Sequence, residues 1–121
     1  MDPHLFGADL AEKPVRLDAL AAALRDADPW TGLGDEPTSW LFLGMGSSHY
    51  ANQVAAARLR ARGISAVAEL AGSDLLPAVT SATTVVAVSA SGGSVETLDA
   101  VRRLREAGGG GARFVALTNR V

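Results

Sequence analysis

The hydrophobic positions change their period along the chain. Between residues 9 and 27, Leu10, Leu17, Leu20, Ala21 and Leu24 recur near helical spacing, with charged Asp18, Arg25 and Asp26 between them. That is the pattern of one amphipathic helix, which Pro14 starts or bends. From Pro29 to Ser39 the chain is rich in Pro, Gly, Asp and Thr, a composition that ends a helix and makes a surface connection. Trp40-Leu41-Phe42-Leu43 is then a short unbroken apolar run, as expected of a strand covered on both faces. It ends in Gly44-Met45-Gly46-Ser47-Ser48, after which Ala51, Val54, Ala55 and Leu59 return to helical spacing over residues 49–62, up to Gly63.

The unit of strand, glycine loop and helix repeats. Ile64 to Leu70 reads as a second strand, and Thr83-Thr84-Val85-Val86-Ala87-Val88 as a third that runs into Ser89-Ala90-Ser91-Gly92-Gly93-Ser94. The spacing predicts a helix from Val95 to Ala107, with Asp99 and Arg103, and Arg102 and Glu106, as i,i+4 pairs on its wet face. Gly108 to Gly111 stop it, and Arg113-Phe114-Val115-Ala116-Leu117 forms a fourth strand ending at Thr118-Asn119. Alternating helices and buried-type strands select an α/β fold with a parallel sheet, because a crossover helix is what joins parallel neighbours. We expect one domain over residues 40–121, preceded by a leading helix and linker over residues 1–39.

Composition narrows the chemistry. The chain has 121 residues, 48% hydrophobic and 20% charged, which suits a single core. Thirteen acidic against eleven basic side chains leave a net charge of −2, so no broad positive field exists for nucleic acid or an anionic membrane, and neither is expected as a partner. The absence of cysteine excludes disulfides, thiolate metal sites and cysteine nucleophiles. The two histidines, His4 and His49, lack zinc-ligand spacing, and the single lysine, Lys13, stands before Pro14 in the leading helix, a poor place for a Schiff base. We expect no metal and no cofactor. No apolar run approaches the roughly 20 residues that span a bilayer, and no basic segment followed by an apolar stretch opens the chain, which predicts a cytoplasmic protein.

In open parallel sheets, ligands sit at the carboxyl ends of strands, and both hydroxyl-rich loops fall there. Ser47 and Ser48 after the first strand, with Ser89, Ser91 and Ser94 after the third, could bring hydroxyls and free backbone N–H groups to one anion, aided by helix N-termini. Neither loop contains Arg or Lys; binding by neutral donors and dipoles suits a mobile metabolite rather than a nucleic acid backbone. Gly44 and Gly46, and Gly92 with Gly93, would let the backbone turn tightly and approach a ligand. The same serines are also the usual helix caps, and Ser94 with Thr97 would cap the helix that follows. His49 stands where the third glycine of a dinucleotide fingerprint belongs, and no Gly-Lys-Ser/Thr ends either loop, so nucleotide binding is disfavoured.

Together, Gly44-Met45-Gly46-Ser47-Ser48, Glu69-Leu70-Ala71, the segment Val88-Ser89-Ala90-Ser91-Gly92-Gly93-Ser94-Val95-Glu96-Thr97-Leu98, and Leu117-Thr118-Asn119 resemble the sugar isomerase (SIS) domain family. This phosphosugar-binding fold occurs twice in the isomerase half of glucosamine-6-phosphate synthase, and the chain is similar to the first of those domains from about Trp40 to Val121. The resemblance implies a flavodoxin-like three-layer sandwich around a five-stranded parallel sheet, a homodimer, and binding of a sugar phosphate by Ser47, Ser48, Ser89, Ser91 and Ser94. Ala90 stands where synthase-like members carry Gln, and Gly93 where many carry Glu. The family's domain continues past the Thr-Asn strand end, so the chain is expected to be a fragment lacking the last strand and helix.

Isomerisation between aldose and ketose needs a base that moves a proton between neighbouring carbons. In synthase-like relatives that group lies downstream of anything present here, so the catalytic base is expected outside this chain. Glu69 and Glu96 are the carboxylates nearest the strand ends, His49 lies beside the first loop, and Trp30 and Trp40 read as packing residues rather than sugar platforms. Three functions compete: the phosphosugar-binding part of an aldose-ketose isomerase, a non-catalytic sugar-phosphate sensor, and a nucleotide-binding module. An N-terminal cysteine nucleophile and a helix-turn-helix ahead of the domain are both absent from the sequence.

Overall fold

A computed structural model describes residues 2–33, 38–108 and 111–120. The chain divides into two compact units, Met1–Gly34 and Asp35–Val121. The expectations for Gly109 and Gly110, and for residues 34–37 of the connection, lie outside the described residues.

The first unit is built on helix α1, Pro3–Asp26. It starts well before residue 9, because Asp2 caps it, Oδ1 accepting the His4 N–H at 2.9 Å, and proline fits the first turn, where no N–H is needed. Pro14 therefore lies inside the helix and does not start it. Proline removes the N–H that would meet the Leu10 carbonyl, and water can take its place here, since no residue of α1 is buried. The expected apolar stripe is correspondingly open, with Leu17 64% and Leu20 54% exposed. Glu12 and Arg16 pair across one turn, and a short 3₁₀ turn, Thr31–Leu33, follows.

The second unit is an α/β domain. Strands β1 (Ser39–Gly44), β2 (Ser65–Leu70), β3 (Thr83–Val88) and β4 (Arg113–Leu117) form one parallel sheet in the order β2-β1-β3-β4. Helix α2 (Gly46–Ala61) joins β1 to β2, and α3 (Val95–Glu106) joins β3 to β4. The connection from β2 to β3 over residues 71–82 carries no helix; its Leu76 and Val79 pack against the core instead.

Side chains alternate across a strand, and the alternation separates the layers. Leu41, Leu43 and Val85 form one core with Ala71 and with Ala100 and Leu104 of α3. Gly44, at the other parity, faces Ser48 and Asn52 of α2. The two helices therefore cover opposite faces, giving the expected three layers. Leu41–Gly44 and Thr83–Val86 are wholly buried, as expected for central strands with cover on both sides.

Candidate functional site

The strand order reverses direction between β1 and β3: from β1 the chain goes first to β2 on one side, then to β3 on the other. A crevice forms at such a switch point, outside the carboxyl ends of the strands. Register pairs Leu43 with Ala87, so Gly44 and Val88 end adjacent strands side by side, about 4.8 Å apart. The segments that leave them, Met45–Ser48 and Ser89–Ser94, thus start from one edge of the sheet, which is the juxtaposition a shared anion site requires.

The first segment is shorter than the sequence pattern implies. Helix α2 begins at Gly46, so Ser47 and Ser48 belong to its first turn rather than to a loop. Two features permit this. Met45 is extended and acts as N-cap without a side-chain bond, and Gly46 adopts φ +54°, a conformation glycine takes without steric cost. Ser48 and His49 donate their N–H groups to the Met45 carbonyl at 3.1 and 3.4 Å. The Gly46 and Ser47 amides and the hydroxyls of Ser47 and Ser48 have no partner among the described residues. An uncapped helix start with unpaired N–H groups and two hydroxyls is a surface of donors. Gly44 acts differently: a Cβ there would lie 2.9 Å from Asn52 Nδ2 and 3.0 Å from Ser48 Cβ.

The second segment is organised by its own serines. Ser89 Oγ accepts the Ser94 N–H at 3.4 Å, and Ser91 Oγ accepts the Gly93 N–H at 3.2 Å. Gly92 N–H closes a turn on the Ser89 carbonyl at 3.0 Å, with Gly92 at φ +68°. Several amides expected to face a ligand are therefore spent inside the loop, whereas the Ser89 and Ser91 hydroxyl protons stay available to donate outward. Ser94 is the N-cap of α3, its Oγ accepting from Thr97 N–H at 3.3 Å and from the Thr97 hydroxyl at 3.0 Å, while it donates to Glu96 Oε2 at 3.2 Å. Capping is thus the observed role of Ser94. Within the protein, a Cβ on Gly93 would meet nothing closer than Ser91 Oγ at 4.0 Å.

One cation was missed by reading each loop alone. Arg120, just past β4, places its Cβ 3.7 Å from the point a Gly92 Cβ would occupy, and its guanidinium has no partner among the described residues. Only the pairing of β4 beside β3 brings it there, along with the Asn119 N–H donated to the Ala90 carbonyl at 3.2 Å. A cavity of about 250 Å³ opens beside the same loop, lined by Ser89, Gly92, Thr97, Phe114 and Thr118 among others.

The remaining candidates separate. Glu69 lies within β2, and Trp40 stacks on Phe42 with ring centres 6.2 Å apart, a packing role. Trp30 donates its N–H to Asp28 in the first unit, which also holds Lys13 and His4. His49 is half-buried in the first turn of α2 and its Nδ1 is buried without a partner, as is Nδ2 of Asn52 one turn on. Among the described residues no three His, Cys, Asp or Glu side chains gather as metal ligands, and no helix is long and apolar enough to cross a membrane.

No protein-family model and no curated protein matches the chain. Solved structures do. A hypothetical protein shares 21% identity with a TM-score of 0.65, over 92% of this chain and 60% of that one. A proposed sugar-binding protein from Salmonella typhimurium LT2 shares 22% identity with a TM-score of 0.66, over 97% and 37%. Tagatose-6-phosphate ketose/aldose isomerase from Escherichia coli shares 21% identity with a TM-score of 0.57, over 86% and 29%. The chain has the α/β fold these proteins contain. It spans less than two thirds of the length of each.

Proposed function

We propose that this chain is a phosphosugar-binding domain, gripping the phosphate of a hexose 6-phosphate at the switch point between β1 and β3. The observation that carries the reading is the set of unspent donors there: the Gly46 and Ser47 amides and the hydroxyls of Ser47, Ser48, Ser89 and Ser91, on adjacent strand ends. Ser94, the fifth serine expected to bind, stands outside that set: it caps α3 and gives its proton to Glu96. Donors fixed by secondary structure bind an anion with little reorganisation, and the cationic Arg120 is rooted beside Gly92 through its Cβ. The fold it shares with a sugar-phosphate isomerase and a proposed sugar-binding protein supports a sugar as the rest of the ligand.

In this reading the chain supplies the phosphate grip of an aldose-ketose isomerase. The alternative is a sensor that binds a sugar phosphate without turnover. Calorimetric titration with fructose 6-phosphate and glucosamine 6-phosphate, against the unphosphorylated sugars, tests binding; equal heats from both classes would overturn it. Solvent deuterium entering carbon 1 or 2 of the bound sugar phosphate would distinguish isomerase from sensor.

A further inference from the structure

We propose that Glu96 is a positioning residue that holds the single proton of Ser94 and so sets how strongly the second loop takes an anion; the inference rests on the anion-binding reading above. A hydroxyl has one proton to give and two lone pairs to receive with. Ser94 uses all three, receiving the Thr97 N–H and hydroxyl and giving its proton to Glu96. Ser89 and Ser91 receive one N–H each and keep their protons. Ser94 is therefore the one candidate hydroxyl that an anion cannot use until another acceptor lets go.

Glu96 and the Met45 side chain both stand beside Gly72. The Glu96 Cγ lies 3.9 Å from the point a Cβ on Gly72 would occupy, and the Sδ and Cε of Met45, the N-cap of α2, lie 3.7 and 3.6 Å from the same point. The carboxylate borders a cavity of about 320 Å³ with Asp74, Asp99 and Arg103. Arg103 does not neutralise it, because that guanidinium is bound by Asp99 and by the carbonyls of Ala71 and Ser73. Among the described residues Glu96 has no cationic partner. An arriving dianion thus meets a competitor for the Ser94 proton that also carries like charge.

A double-substitution cycle read by calorimetry with inorganic phosphate tests this on the whole chain. Ser94→Ala alone should change phosphate affinity by less than about twofold, and in the Glu96→Ala background by about fivefold or more, because only there is the proton free to bind the anion. Glu96→Ala should tighten phosphate binding, and Glu96→Gln, whose carbonyl still receives the proton, should recover only the part that high salt removes. An equal Ser94→Ala effect in both backgrounds overturns the role of Glu96 and leaves the anion site standing. Absence of phosphate binding by the unaltered chain overturns the anion reading and this inference with it. Should Ser94→Ala fail to fold, Ser94→Gly, a tolerated N-cap, takes its place in the cycle.

Discussion

The Asn52 carboxamide packs on the backbone of Gly44, with Nδ2 2.9 Å from where a Gly44 Cβ would lie, and that amide nitrogen is buried without a partner. Gly44 therefore serves the seating of α2 on β1. Gly44→Ala should destabilise the domain by about 1–3 kcal/mol through overpacking, read as a lower urea midpoint at unchanged slope. Adding Asn52→Ala should restore part of the loss, since the clash then falls only on Ser48. Additive effects of the two changes would refute direct contact as the cause.

Two neighbouring glycines should behave oppositely. Gly92 is at φ +68°, and a Cβ there would approach Thr118 Oγ1 to 3.0 Å, whereas a Cβ on Gly93 would make only an ordinary contact with Ser91 Oγ at 4.0 Å. Gly92→Ala should cost about 1–2 kcal/mol for the left-handed backbone alone, with a contact cost that Thr118→Ala relieves. Gly93→Ala should stay within about 0.5 kcal/mol of the starting protein. Thermal melts of the three variants decide it; equal losses at both glycines would contradict the loop geometry.

Ser91 and Ser94 predict a crossed pattern of binding and stability. Ser91→Ala removes a hydroxyl whose proton has no acceptor among the described residues and should weaken fructose 6-phosphate by about 1–3 kcal/mol, with little change in melting temperature. Ser94→Ala removes the cap of α3 and should lower stability by about 1 kcal/mol, with little change in affinity while Glu96 is present. Unchanged affinity on Ser91→Ala would leave that hydroxyl a turn acceptor for Gly93 and nothing more.

The strands were legible because burial wrote itself into them. The apolar runs of β1, β3 and β4 place those strands to within a residue, and β3 and β4 match their expected ends. Gly108, at φ +104° just past α3, is the stop the glycine run implied. The two helix starts were less legible for a shared reason. Pro14 reads as a boundary only if the Leu10 carbonyl has no other partner, and an exposed helix gives it water. Gly46 looks like loop until its positive φ is seen to open a helix, which moves Ser47 and Ser48 into the first turn. Within the candidate site, residue type identified the serines, but which hydroxyls keep their protons depends on turns that only coordinates reveal. Arg120 was invisible because its place beside Gly92 comes from strand pairing, not from spacing.

The wet face of α3 carries the last prediction. Hydrogen bonding from Arg102 first, and then the charges of Arg102 and Arg103, hold the Asp99 carboxyl below its usual range against an opposing effect of desolvation. In the unfolded chain those partners are gone, so Asp99 there binds its proton at higher pH than in the fold. Across the interval between the two values the unfolded state holds more protons, and stability must rise with pH. The contribution is complete above the usual carboxylate range and fades as pH falls through the lowered value in the fold. Asp99→Asn should therefore reduce stability near neutral pH and approach the unaltered protein in acid, as measured by urea denaturation from about pH 7 down to about pH 2. Added salt should narrow the neutral-pH difference, because the Arg102 pairs with Asp99 and Glu106 are solvent-facing. A deficit of the same size at every pH would mean that Asp99 acts through packing or helix propensity, and the ion pairs would then carry none of the stability of α3.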